Sequence, residues 1–341
     1  MFGIWRTLLA IEVVAFHLLL VPLIGAYAVF SFFVLSGFLM TEIVQRTYGY
    51  RLVGFARYIG NRALRLLPSY WFALLATMLV IAALGTENVY LYHKVIGFPE
   101  TLRDWLQNIS MLFLNWLPKE EQPRLVPLAW ALTVEIFYYV AIGLGASRTR
   151  ITSFVWLFLS LAYVVVIRRI HPEGGEYLYA AIPAGSLPFA VGALGWHYQS
   201  AVRTLLKRVR LGDARVLVIG RWVLYGGIML ALTVTGWRWL AMFGNWLNIL
   251  ASALIVVALF SVKPTQSWRR IDKTVGDFSY PIYLLHLQMG LLAGVILYGV
   301  PTKSGPWVFI VGLAFTIALA AICARLIDPA VEQLRRRIRP R

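Results

Sequence analysis

Residues 6–17 read RTLLAIEVVAFH, an apolar run that nevertheless carries Arg6, Glu12 and His17. An ionised side chain at the centre of a bilayer costs about 2.5–3.5 kcal/mol or more, so such residues are expected to be paired or functional. On a helix, Arg6 and His17 fall on one face with about 20° of drift and about 16 Å of axial separation. Glu12 points about 120–140° away from both, so it needs a partner on another helix or a proton. A histidine shielded from water is a neutral imidazole at physiological pH and a competent general base. A histidine hydrogen-bonded between helices is the equally weighted structural alternative.

Two further stripes carry polar groups at helical spacing. In PLAWALTVEIFYYV, Glu135, Tyr138 and Tyr139 stand at i, i+3 and i+4; in GDFSYPIYLLH, Ser279, Tyr283 and His286 stand at i, i+4 and i+7. Either stripe alone is explained by interhelical hydrogen bonding, whereas together with His17 they imply a polar interior. Arg62 and Arg65 share a face three residues apart, and Pro68 is expected in the first turn of the helix that follows them. In AYAVFSFFVLSGFLMTEIV, Ser36 and Gly37 are read first as small residues that let helices approach, with a nucleophilic Ser36 as the rarer reading.

These residues need apolar elements to hold them. The chain of 341 residues is 60% hydrophobic and 14% charged, against about 25% charged in soluble domains, and its mean hydropathy is +0.72. It reads as an all-α, polytopic transmembrane bundle forming one domain over 1–341, without a fused soluble domain. Ten spans are expected, at about 4–25, 27–45, 68–85, 126–145, 151–168, 178–197, 216–235, 246–262, 276–299 and 307–327. Within residues 86–125, Leu102, Trp105, Leu106, Ile109 and Leu112 predict a short interfacial helix over the outer mouth, with Trp105 and Trp116 at headgroup level. Basic linkers are expected at 198–215 and 263–275, and a break at Asp328-Pro329.

The net charge of +17 is explained by topology. With the N-terminus inside, 24 of the 32 Lys and Arg fall on the inner side, Arg221 included, as the positive-inside rule requires. Both termini are then cytoplasmic and the location is the cytoplasmic (inner) membrane. The tail RRRIRPR at 335–341 reads as an orientation signal and anionic-lipid contact, with no nucleic acid as partner. The first segment lacks a signal-peptide cleavage pattern and is expected to be retained. A lone Cys323, five scattered histidines and no phosphate-loop motif argue against metal and nucleoside-triphosphate chemistry.

The motifs together resemble the membrane acyltransferase 3 family over nearly the whole chain. Arg6 and His17 match its Arg-x10-His, FFVLSGF at 32–38 its second-helix segment, and Arg62, Arg65 and Pro68 its R-x-x-R before a proline. WALTVEIFY from Trp130 to Tyr138 and SYPIYLLH from Ser279 to His286 match two further motifs. The chain departs from the pattern at Ala131, where the family usually has serine, at Glu12, usually apolar, and at the reduced lead-in MFGIW and closing Asp328-Pro329.

The resemblance implies an O-acyltransferase that takes acetyl or another acyl group from cytosolic acyl-CoA. The acceptor is a hydroxyl of a sugar, glycolipid, cell-envelope polysaccharide or small molecule, reached directly or through a separate periplasmic or extracellular transferase. Arg6, Arg62 and Arg65 would hold the phosphates of CoA, since guanidinium suits phosphate. His17 would be the base; Glu135 would orient it or pair with an inner arginine, and Tyr283 or Ser279 would stabilise the oxyanion. A covalent relay on Ser36, a tyrosine or His17 stands beside direct transfer. Trp130, Tyr138 and His286 enter as motif residues. The competing class is a transporter or flippase whose polar interior is a pathway.

Overall fold

The structure, a computed structural model, describes every residue except 173, 174, 238, 340 and 341. The described residues form thirteen α-helices and no strand. In chain order they are α1 (Phe2–Leu18), α2 (Ile24–Ile43), α3 (Leu52–Leu84), α4 (Thr86–Tyr92), α5 (Leu102–Ser110), α6 (Ala129–Gly143), α7 (Arg150–Ile170), α8 (Ser186–His197), α9 (Gln199–Arg208), α10 (Ala214–Thr235), α11 (Trp239–Ser261), α12 (Gln266–Tyr298) and α13 (Pro306–Ile338). Each of the ten expected spans contains a helix. Seven are long and apolar enough to cross a membrane: α2 with the π turn that extends it, α3, α7, α10, α11, α12 and α13.

Helix ends differ from the expectations where proline and charge were used as punctuation. Pro68 does not start a helix; α3 runs unbroken through it. Likewise α13 passes through Pro329 with no break at Asp328, and α12 begins at Gln266, capped by the Thr265 side chain, so the expected linker at 263–275 is mostly helix. The linker at 198–215 contains α9. Proline removes one backbone donor but leaves an amide-rich helix otherwise intact, and packing on both sides keeps the axis continuous. In the other direction, the span expected at 4–25 ends at Leu18, because Leu20 and Leu23 take left-handed φ values of 55° and 59° around Pro22. The span expected at 178–197 keeps only the twelve residues of α8 as α-helix, after a 3₁₀ turn at Ile182–Gly185.

The short helix expected within residues 86–125 is α5. Thr101 and Asp104 form a reciprocal capping box at its start, and the hydrogen bonds from Thr101 hold the Asp104 carboxyl below its ordinary range. Its Leu102, Leu106 and Ile109 are exposed, as a headgroup-level face requires. α4 was not anticipated.

The centre of the bundle is α12, packed against α1, α3 and α13, while α2 packs on α1, α6, α8 and α11. Two close approaches set this frame. A Cβ on Gly3 would lie 1.7 Å from the Asp272 carbonyl oxygen, and one on Gly37 would lie 2.2 Å from that of Phe189, so α1 meets α12 and α2 meets α8 backbone to backbone. The α1–α12 contact is fastened by Ile4 N–H to Asp272 (3.0 Å) and by the Thr7 hydroxyl to the Val275 carbonyl (2.8 Å). At the rim, α7 and α10 expose Phe158, Leu159, Val223 and Val234, a surface suited to acyl chains.

α3, α12 and α13 have 33 residues each, about 50 Å against a hydrocarbon core of about 30 Å. Their excess length lies in the polar stretches 52–65, 266–275 and 328–338. These project together at one end of the bundle, the end that also holds Arg6.

Candidate active site

That basic end contains a cavity of about 1010 Å³. Arg6 of α1, Arg62 and Arg65 of α3 and Glu135 of α6 all line it, joined by Ser36 of α2 and by Ser279 and Tyr283 of α12. The three arginines selected from sequence therefore converge. Arg65 faces Asp277 at 3.8 Å, and Arg62 donates to the Asn61 side-chain oxygen at 3.0 Å, which also accepts from Arg335 at 3.2 Å. The buried Nε atoms of Arg6 and Arg62 have no hydrogen-bond partner among the described residues. Buried donors of this kind are rare unless a ligand or solvent completes them, and cationic donors suit a phosphate.

Glu135 is the acidic centre of the cavity. It accepts from the Ser36 hydroxyl at 2.6 Å and, through the same Oε1, from the Tyr139 hydroxyl. It does not reach His17, so of its two expected roles the structure brings it to the arginine side of the bundle. Gly37 is a packing residue, as expected, but Ser36 is not: it turns into the cavity and binds Glu135. The Ser279 hydroxyl is bonded to the Gly276 carbonyl of its own helix at 2.7 Å, and the Tyr283 hydroxyl to the Leu128 carbonyl at 3.3 Å. Both line the cavity with their protons already engaged.

His17 lies in the last turn of α1 and does not line the cavity. Its ring stands 5.3 Å from that of His286. His286 is fully buried; its Nδ1 meets the Ile282 and Tyr283 carbonyls at 3.2 and 3.0 Å, and its Nε2 has no partner among the described residues. A carbonyl accepts only from an N–H, so Nδ1 carries the proton and Nε2 presents a lone pair. Tyr283, the deepest cavity residue on α12, meets Phe32 of the cavity wall on α2 edge-on at 6.2 Å, and His286 follows Tyr283 by one turn. The histidine pair thus sits one helical turn beyond the cavity. A third imidazole, His93 after α4, is pulled down to about 4 by burial and by the charge of Arg124, and is neutral.

The remaining candidates, Glu12, Tyr138 and Trp130, do not line the cavity. Glu12 forms a two-pronged ion pair with Arg221 of α10, at 2.7 and 2.8 Å, and neither residue lines the cavity. Arg221 is therefore a buried intrabundle charge and leaves the inner-side tally. Tyr138 donates to the Ile182 carbonyl at 2.8 Å and stacks on Trp156. Trp130 is buried edge-on against Tyr179 at 5.2 Å. Sequence reasoning missed Lys273, Asp277, Arg325, Arg335, Arg336 and Arg339, all of which line the cavity. The signal was available in the run of arginines at 335–339, read above only as an orientation signal and lipid contact.

A protein of Bacillus subtilis (strain 168), named "Putative peptidoglycan O-acetyltransferase YrhL", is 24% identical over 320 residues, covering 84% of this chain. The chain spans about half, 48%, of that relative's length. No solved structure matches the chain. The family model described as "Acyltransferase domain" matches residues 2–325, and the chain belongs to that acyltransferase family.

Proposed function

We propose that this protein is a membrane O-acyltransferase that draws an acyl group, acetyl by default, from acyl-CoA and delivers it to a hydroxyl of a cell-envelope glycan. The observation that carries this reading is the basic cavity, whose unpartnered arginine donors lead inward to Tyr283, one turn from the His17–His286 pair. The relative's name points to peptidoglycan as the acceptor class. The nucleotide rests among Arg6, Arg62 and Arg65 at the cytoplasmic side, and the pantetheine arm runs along α1, where Arg6 and His17 are about 16 Å apart.

At the far end His17 takes the proton of the acceptor hydroxyl as its oxygen attacks the thioester carbonyl. The C–O bond forms, the C–S bond breaks, and the departing thiolate receives the proton as CoA-SH. His286, with its Nδ1 proton tied to backbone, supports His17 as a neutral neighbour. Glu135 sets the orientation of Ser36 and Tyr139 and offsets part of the arginine charge. The transporter reading has no separate observation in its favour.

Purified protein in detergent, given acetyl-CoA and a muramyl-glycan acceptor, should release CoA-SH with time and yield an acetylated glycan. His17→Ala should lose that transfer by about 10²-fold or more, the usual worth of a positioned base, while eluting as the same monodisperse species. Wild-type transfer by His17→Ala would overturn the mechanism, and glycan movement without thioester loss would favour transport.

A further inference from the structure

The arginine-rich stretch at the end of α13 and just past it was accounted for above by membrane orientation and anionic-lipid contact, yet three of its arginines line the cavity. Arg335, Arg336 and Arg339 reach it from beyond Pro329, and Arg335 is drawn in by its bond to Asn61 of α3. Beside the cavity lies a smaller recess lined, among the described residues, by Arg57, Arg336, Arg337 and Arg339. Arg336 and Arg339 belong to both, so the recess adjoins the cavity wall. Glu332 of the cavity wall pairs with Arg335 at 3.0 Å, Arg339 at 3.3 Å and Arg336 at 3.8 Å, whereas Arg57 and Arg337 of the recess have no carboxylate within salt-bridge distance among the described residues.

Two anion sites of different character thus stand side by side. The cavity is lined by eight cationic side chains and four carboxylates, a net charge of +4, and suits a diester-type pyrophosphate. The recess presents guanidinium groups alone, the setting for a compact dianion with three free oxygens. Coenzyme A carries both anions: a pyrophosphate between pantetheine and ribose, and a phosphate monoester on the ribose 3′-oxygen. A phosphopantetheine arm on a carrier protein has no such monoester.

We infer that the recess of Arg57, Arg336, Arg337 and Arg339 binds the ribose 3′-phosphate, so that the C-terminal turns of α13 select free acyl-CoA over thioester donors lacking that group. This inference rests on the acyl-CoA reading above. The second source of phosphate at such a surface is a lipid headgroup, and the experiment separates the two.

Initial rates would be compared for acetyl-CoA and acetyl-dephospho-CoA, the same thioester with a free 3′-hydroxyl, on protein in nanodiscs with and without anionic lipid. The wild type should prefer acetyl-CoA in kcat/KM by about tenfold or more, the worth of one lost charge-assisted hydrogen bond. The doubly substituted Arg57→Gln/Arg337→Gln protein alters only residues that line the recess and not the cavity. It should use acetyl-CoA no better than acetyl-dephospho-CoA, while its rate with the latter stays at the wild-type value. That unchanged rate also reports correct folding.

Equal use of both thioesters by the wild type would overturn the 3′-phosphate assignment and leave the acyl-CoA reading standing. An unchanged preference in the double variant, with activity that no longer responds to anionic lipid, would assign the recess to lipid and overturn the inference. Failure of the wild type to consume either thioester with any acceptor would instead remove the acyl-CoA reading itself.

Discussion

At the scale of single residues, the cavity holds a hydroxyl–carboxylate pair, Ser36 and Glu135, while the imidazoles stand one turn away. Direct transfer assigns the essential proton movement to His17 and an orienting hydrogen bond to Ser36. Ser36→Ala should therefore cost acyl transfer about tenfold, the lower end of the worth of one hydrogen bond to a charged group, and the KM for acetyl-CoA should change little. Quenched turnover followed by peptide mass analysis checks this. An acetyl adduct on the Ser36 peptide, together with a Ser36→Ala protein as inactive as His17→Ala, would replace direct transfer with a covalent relay. Arg6, Arg62, Arg65 and Glu135 were legible in the sequence because a charge within an apolar run must have a reason. Ser36 was not, because a small residue beside Gly37 satisfies helix packing and a catalytic site equally well in one dimension.

At the scale of elements, α10 shows how a peripheral helix is held. It is mostly exposed, packs chiefly on α11, and reaches α1 through Arg221, which grips Glu12 with both terminal nitrogens and Asn248 with Nε at 2.7 Å. The guanidinium also lies 5.3 Å from the Trp5 ring centroid, and Tyr225 donates to the Pro22 carbonyl at 2.8 Å. With side chains 1% and 4% exposed, removing one partner strands the other. Glu12→Leu should destabilise the bundle by about 3–5 kcal/mol, and Glu12→Leu/Arg221→Leu should recover most of the loss. Thermal unfolding in detergent decides this; a single variant as stable as the wild type would deny the pair any holding role. The need for such a partner was legible from the angle of Glu12 on α1, but its identity was not, since nothing in one sequence pairs residues 209 positions apart. Helix existence was legible from hydropathy over twenty-residue windows, whereas helix ends at Pro68 and Pro329 were misread because flanking packing overrides proline's local preference.

At the scale of the whole molecule, the charges divide between two ends, and the long helices α3, α12 and α13 concentrate them. Their polar extensions build the cavity wall at the Arg6 end, while α4, α5 and the loop before α6 cover the other. Removal of Arg221 from the tally leaves the bias toward the Arg6 end intact, so the positive-inside rule still predicts a cytoplasmic location for that end. The same placement is demanded by a cytosolic thioester donor, and one measurement bears on both. In a Cys323→Ser background, which removes the sole native thiol, Lys263→Cys and Glu120→Cys put new thiols at exposed positions on opposite ends. A membrane-impermeant maleimide applied to intact spheroplasts should label Glu120→Cys at once and Lys263→Cys only after permeabilisation. The reverse pattern would put the basic cavity outside the cell, beyond reach of cytosolic acyl-CoA. The arginines would then have to be reassigned to an extracellular anion, and the histidine end would face the donor compartment.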